Sequence, residues 1–137
     1  MHFKFFIQAD QEKEALAVYD ECMQEIDKYI TEKSDFVIEK YWKFPDSYTV
    51  ELEFKWSITQ EQFLHFLDSI CNSWDVLGDD EMLGSAASKY TQFIKDQVEL
   101  FIINMEEDEK WLIADNIEGM PGYDTYYEDG EWGYRRR

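Results

Sequence analysis

The chain has 137 residues, 31 of them acidic and 13 basic, for a formal net charge of −18, and 18% are aromatic. The aromatic content separates it from acidic disordered chains, which cannot bury a core, and the charge argues against direct contact with nucleic-acid backbone or anionic lipid, since both need Lys and Arg. No window approaches the ~20 apolar residues of a membrane span, the first residues lack the apolar run of a signal peptide, and the length fits one domain, 1–137, so a cytoplasmic protein is expected.

Residues 2–8 read as a strand, with Phe3, Phe5 and Ile7 alternating with His2, Lys4 and Gln8. Phe6 interrupts the polar side. Asp10 can cap a following helix. Ala15, Leu16, Val18, Tyr19, Cys22, Met23, Ile26, Tyr29 and Ile30 then recur at three- and four-residue steps. That stripe predicts a helix of about five to six turns.

Two strands follow. Phe36, Ile38, Trp42 and Phe44 share one face of the first; Tyr48, Val50, Leu52, Phe54 and Trp56 share one face of the second. With Pro45-Asp46-Ser47 as the turn, Phe44 pairs with Tyr48, Trp42 with Val50, Ile38 with Phe54 and Phe36 with Trp56, all inward. Lys40 then falls opposite Leu52 and Glu39 opposite Glu53.

Thr59 and Gln62 form a capping box, and Ile58 with Phe63 a hydrophobic staple, at the start of a second helix. Its buried stripe is Phe63, Leu64, Phe66, Leu67, Ile70, Cys71 and Trp74. Cys22 and Cys71 both sit among apolar neighbours, which suits buried reduced thiols.

The order strand, helix, strand, strand, helix needs one more strand to complete a ferredoxin-like βαββαβ pattern. Residues 98–104 and 111–114 are the candidates. Residues 78–88 read as a loop, and residues 90–95 as a short helix or a lead-in to a strand. The expected fold is α+β: an antiparallel sheet with two helices packed on it. Residues 1–78 form its βαββα core, and residues 79–137 add a loop, further strands and an acidic aromatic C-terminal extension. Asp129-Gly130 is a two-residue hairpin signal there, and a mobile tail is an equal alternative.

Motifs for catalysis are missing. His2 and His65 lie far apart in sequence, and His65 reads as a helix-surface or boundary residue. There is no C-x-x-C, no G-x-S-x-G and no Gly-rich phosphate loop. The residues before Gly130 (Thr125, Tyr127, Asp129) do not form an EF-hand ligand set. No catalytic, cofactor or metal residue is assigned, and a non-catalytic protein is expected.

The charge is uneven. Residues 1–78 carry a net −9, residues 79–134 a net −12, and three terminal arginines return +3. Three acidic clusters stand out. The first is Asp79, Asp80 and Glu81. The second is Glu106, Glu107 and Asp108, followed by Glu109. The third interleaves Tyr123, Tyr126, Tyr127 and Trp132 with Asp124, Glu128, Asp129 and Glu131. Tyr and Trp anchor binding hot spots, and carboxylates beside them pair with Lys or Arg. These residues are the candidate partner-binding set, and a basic protein is the expected partner. If the third segment folds back on the domain, its aromatics are core instead.

In size, acidity, lack of catalytic groups and Trp/Tyr content, the chain resembles the immunity proteins of bacterial polymorphic and contact-dependent growth-inhibition toxins. The resemblance is one of general character over the whole chain. It implies binding to one cognate basic toxin, a nuclease being the expected kind, by covering its active or substrate-binding face. The alternatives are a ferredoxin-like small-ligand or regulatory domain, a nucleic-acid mimic directed at a DNA-binding protein, and an enzyme.

Overall fold

The computed structural model describes residues 1–113, 117–118, 120–128 and 131–136, with Glu128 described by its backbone alone. The strands are β1 (His2–Gln8), β2 (Ile30–Lys40), β3 (Ser47–Trp56), β4 (Ser73–Leu77), β5 (Glu81–Ser85), β6 (Val98–Asn104), β7 (Tyr123–Glu128) and β8 (Glu131–Arg136). Helix α1 (Glu12–Met23) follows β1, and α2 (Gln60–Ile70) follows β3. Short 3-10 segments cover Asp27–Tyr29 and Glu107–Leu112. All the strands join one sheet, in the order β2-β3-β1-β6-β5-β4-β8-β7, with every pairing antiparallel.

The alternation in β1 decides which face is covered. Phe3, Phe5 and Ile7 are fully buried, together with Val50, Leu52 and Phe54 of β3 and Phe101 and Ile103 of β6. Phe66 of α2 stacks on Phe3 at 5.6 Å, and Tyr19 of α1 meets Phe5 edge-on at 5.6 Å. Both helices therefore lie on the same side of the sheet. The opposite side carries His2, Lys4 and Phe6, half-buried. There Glu51 takes Lys4 at 3.2 Å and His2 at 3.1 Å.

The ferredoxin-like expectation does not hold. The sheet has eight strands, and the second helix runs into new strands instead of closing a four-stranded sheet. Helix α2 stops at Ile70 because Cys71 turns extended (φ −156°, ψ 169°). Trp74, expected on the helix, is an inward residue of β4. The segment read as a loop at 78–88 contains a tight turn at Gly78, with φ +65°, and then β5. A left-handed backbone there suits glycine. Strands β4 and β5 extend the sheet beyond β6, and the C-terminal hairpin β7–β8 adds to β4. Residues 111–113 do not form the expected strand, since the 3-10 segment runs through Leu112. Ala114 lies outside the described residues.

Two smaller expectations also shift. Helix α1 ends at Met23, and Gln11, not Asp10, holds its N-cap position. The β-branched pair Ile30-Thr31 opens β2 instead of extending the helix. The β2–β3 register slides by four residues: Ile38 faces Val50, Phe36 faces Leu52 and Lys40 faces Tyr48. Glu39 faces Thr49, and the like-charged pair is Asp35 with Glu53. An even slide keeps each paired residue on the same face of the sheet, so period-two alternation alone does not distinguish the two registers. The connection is consequently longer, and Trp42 and Phe44 are 87% and 51% exposed instead of inward.

Candidate binding site at the acidic end of the sheet

Strand register brings the acidic runs together. Across one end of the sheet, Glu81 pairs with Asn104, Asn104 with His2, His2 with Glu53, and Glu53 with Asp35. The β4–β5 turn, carrying Asp79 and Asp80, leaves the sheet at this end. So does the chain after β6, carrying Glu106, Glu107 and Asp108. Met105 N–H donates to the Asp80 carbonyl at 2.7 Å and fastens the two segments. Lys110 Nζ bridges Asp79 Oδ2 at 3.0 Å and Glu107 Oε2 at 2.8 Å. Those hydrogen bonds, Glu107 first and Asp79 second, hold the Lys110 ammonium above its ordinary pKa. One lysine thus joins two carboxylates, one from each of two acidic stretches that are separate in sequence.

The third cluster divides. Val76 of β4 pairs with Trp132, so Glu131 at the start of β8 lies at the acidic end, and Glu128 pairs with Glu131 in the hairpin. Asp129 lies outside the described residues. Tyr123, Asp124 and Tyr126 lie further along the hairpin, toward the opposite end, where Asp124 pairs in register with Arg135.

The aromatics of this hairpin are engaged with the domain itself. Tyr123 Oη donates to Asp68 Oδ2 of α2 at 2.6 Å, and Tyr126 Oη to Asp75 Oδ1 of β4 at 2.5 Å. Burial, and then those carboxylates, push both phenols up, Tyr126 to about 12. Tyr134 is buried and Trp132 half-buried. Tyr127 is the exposed one, at 68%, with its Oη 3.4 Å from Glu118 Oε2.

Sequence reasoning missed a groove of about 390 Å³ beside the acidic end. Its walls include Trp56 at the end of β3 and Ile58 after it, Glu106 at the N-cap of the 3-10 segment, and Asp108, Glu109, Trp111 and Leu112 within that segment. Glu109 organises it. Oε2 accepts the Trp56 indole N–H at 3.1 Å, while Oε1 lies 2.9 Å from the Met1 amino group and accepts Glu106 N–H at 3.0 Å. From α2, Gln60 Nε2 donates to the Leu112 carbonyl at 3.2 Å. The Thr59–Gln62 capping box fixes the start of that helix. A tryptophan one lysine beyond an acidic run was the signal available in the sequence.

Elsewhere, His65 lies 3.6 Å from Glu25, with both side chains exposed. Among the described residues no group of His, Cys, Asp and Glu is placed to hold a metal ion, and no helix is long and apolar enough to cross a membrane.

No family model, curated protein or solved structure matches the chain. The resemblance to immunity proteins therefore rests on sequence character, and the site stands on its own geometry.

Proposed function

We propose that the chain is a non-catalytic binding protein that docks a basic protein surface against the acidic end of its sheet. In this reading it is a cytoplasmic immunity protein, and the partner is a cognate toxin, a nuclease, whose basic cleft is covered. The observation that carries the reading is the convergence of residues 79–81, 106–108 and 131 on one end of the sheet. Carboxylates gathered at one end of the sheet, with one lysine bridging two of them, repel one another. A cationic partner relieves that repulsion, so the same charges steer encounter and select the partner. Specific protein interfaces bury about 800 Å² per partner, an area that also takes in apolar surface beside the charge, such as Trp111 and Tyr127.

The test is co-expression with the product of the adjacent gene. The reading predicts that this product is toxic, that the chain restores growth, and that a variant with Asp79, Asp80, Glu106, Glu107 and Asp108 changed to Asn or Gln protects poorly. A harmless neighbour, or full protection by the neutralised variant, overturns it.

A further inference from the structure

The groove beside the acidic end combines an exposed indole, a fastened backbone and carboxylates on one rim. Trp111 leaves 51% of its surface exposed. It is nevertheless held firmly: Gln60 ties the carbonyls of Trp111 and Leu112 to α2, and the Glu109–Trp56 hydrogen bond ties the same segment to β3. An indole presented on an anchored backbone loses little freedom on contact, which favours its use as a hot spot. Glu106 and Asp108 lie on the rim, both exposed. The Asp108 side chain makes no hydrogen bond or ion pair with any described residue. Lys55 also lines the groove, so its carboxylates face one lysine as well as open space.

We propose that this groove receives an arginine side chain presented by the basic partner. The planar guanidinium lies over the Trp111 face and donates to Glu106 and Asp108, while the methylene stem runs along Ile58 and Trp56. Arginine fits better than lysine because a planar, weakly hydrated cation stacks on an indole and offers several donors to carboxylates at once. The proposal rests on the reading that the acidic end binds a basic protein, and names how that partner is gripped.

The test uses the full chain and two probes, a decapeptide of alternating Gly and Arg and its Gly-Lys counterpart, titrated at low salt. The arginine peptide is expected to bind about three- to tenfold tighter and to shift the Trp111 indole N–H resonance. Trp111→Leu should remove that preference while leaving the lysine peptide's affinity in place, and Trp111→Tyr should keep part of it. Equal binding of the two peptides, or a preference that survives Trp111→Leu, overturns the arginine groove. In that case the acidic-end reading still stands if neutralising Glu106, Glu107 and Asp108 weakens both peptides. Failure of both peptides to bind overturns the groove and the reading together.

Discussion

The Trp56 indole N–H donates to Glu109 Oε2 at 3.1 Å, joining the end of β3 to the 3-10 segment 53 residues later. Glu109 belongs to the most acidic run of the chain, yet it is half-buried and engaged on both oxygens, while its neighbours Glu106, Glu107 and Asp108 are exposed. One carboxylate of the run is structural, and the others are presented to solvent.

Glu109→Ala leaves the Trp56 N–H without this acceptor and frees the segment that carries Trp111. It is expected to cost about 1–3 kcal/mol, as removing one partner of a part-buried charged hydrogen bond does. Asp108→Ala, at the position next to the clasp but on an exposed side chain, should change stability by less than about 0.5 kcal/mol. Urea unfolding of the two variants tests the contrast, and equal losses would contradict the assigned roles.

Glu51 on the helix-free face gives a pH signature. Burial works to raise its carboxyl, but hydrogen bonds and charge from Lys4 and His2 outweigh that and hold it below the ordinary value. A carboxyl lowered by folding stabilises the protein above its unfolded pKa, near 4.3. That contribution is lost as pH falls through the folded value. Glu51→Gln should therefore be modestly less stable than the parent at pH 7, with the gap closing in acid. A gap independent of pH would show that the ion pair is not its source.

Gly133 in β8 lies directly beneath the Tyr126 ring. A Cβ there would collide with Tyr126 Oη and the Trp74 carbonyl. Gly133→Ala must displace Tyr126 from Asp75 or open the β4–β8 pairing, and should destabilise by roughly 1–3 kcal/mol as overpacking does. Thermal unfolding measures it. A neutral result would mean that the hairpin does not seat on β4 as described.

Cys22 and Cys71 are both buried, which pushes their thiols up to about 11 and about 12. Since the thiolate is the reactive form, neither should react with a disulfide reagent at pH 8 until the protein is unfolded. Both should react in denaturant. Rapid modification of the native protein would contradict their burial.

The sequence was most readable where a side chain has one local task. Thr59 and Gln62 form the predicted capping box, and Phe3, Phe5 and Ile7 alternate inward as expected. Legibility failed where partners are distant. Trp74 fits a helical stripe as well as a strand, and only pairing with Tyr134 across β4 and β8 decides between them. The β2 register was ambiguous for the same reason, because a four-residue slide preserves the pattern. At the candidate site, the acidic runs were visible as runs. Their meeting at one end of the sheet was not, because it depends on β5 pairing with β6 and β8 with β4. Trp56 looked like a core residue from its alternation, whereas its half-buried ring turns its N–H to Glu109.

The central claim is that the acidic end, not the overall charge, binds the partner. The most direct measurement compares two variants of equal charge for affinity to the Gly-Arg decapeptide at low salt. The first changes Asp79, Asp80, Glu106, Glu107 and Asp108 to Asn or Gln; the second does the same to Asp10, Glu12, Glu14, Glu39 and Asp46, which lie toward the opposite end of the sheet. The account predicts that the first variant loses roughly tenfold or more in affinity, as local charge pairs outweigh screened distant ones, while the second stays near the parent. Equal losses in the two variants would contradict it.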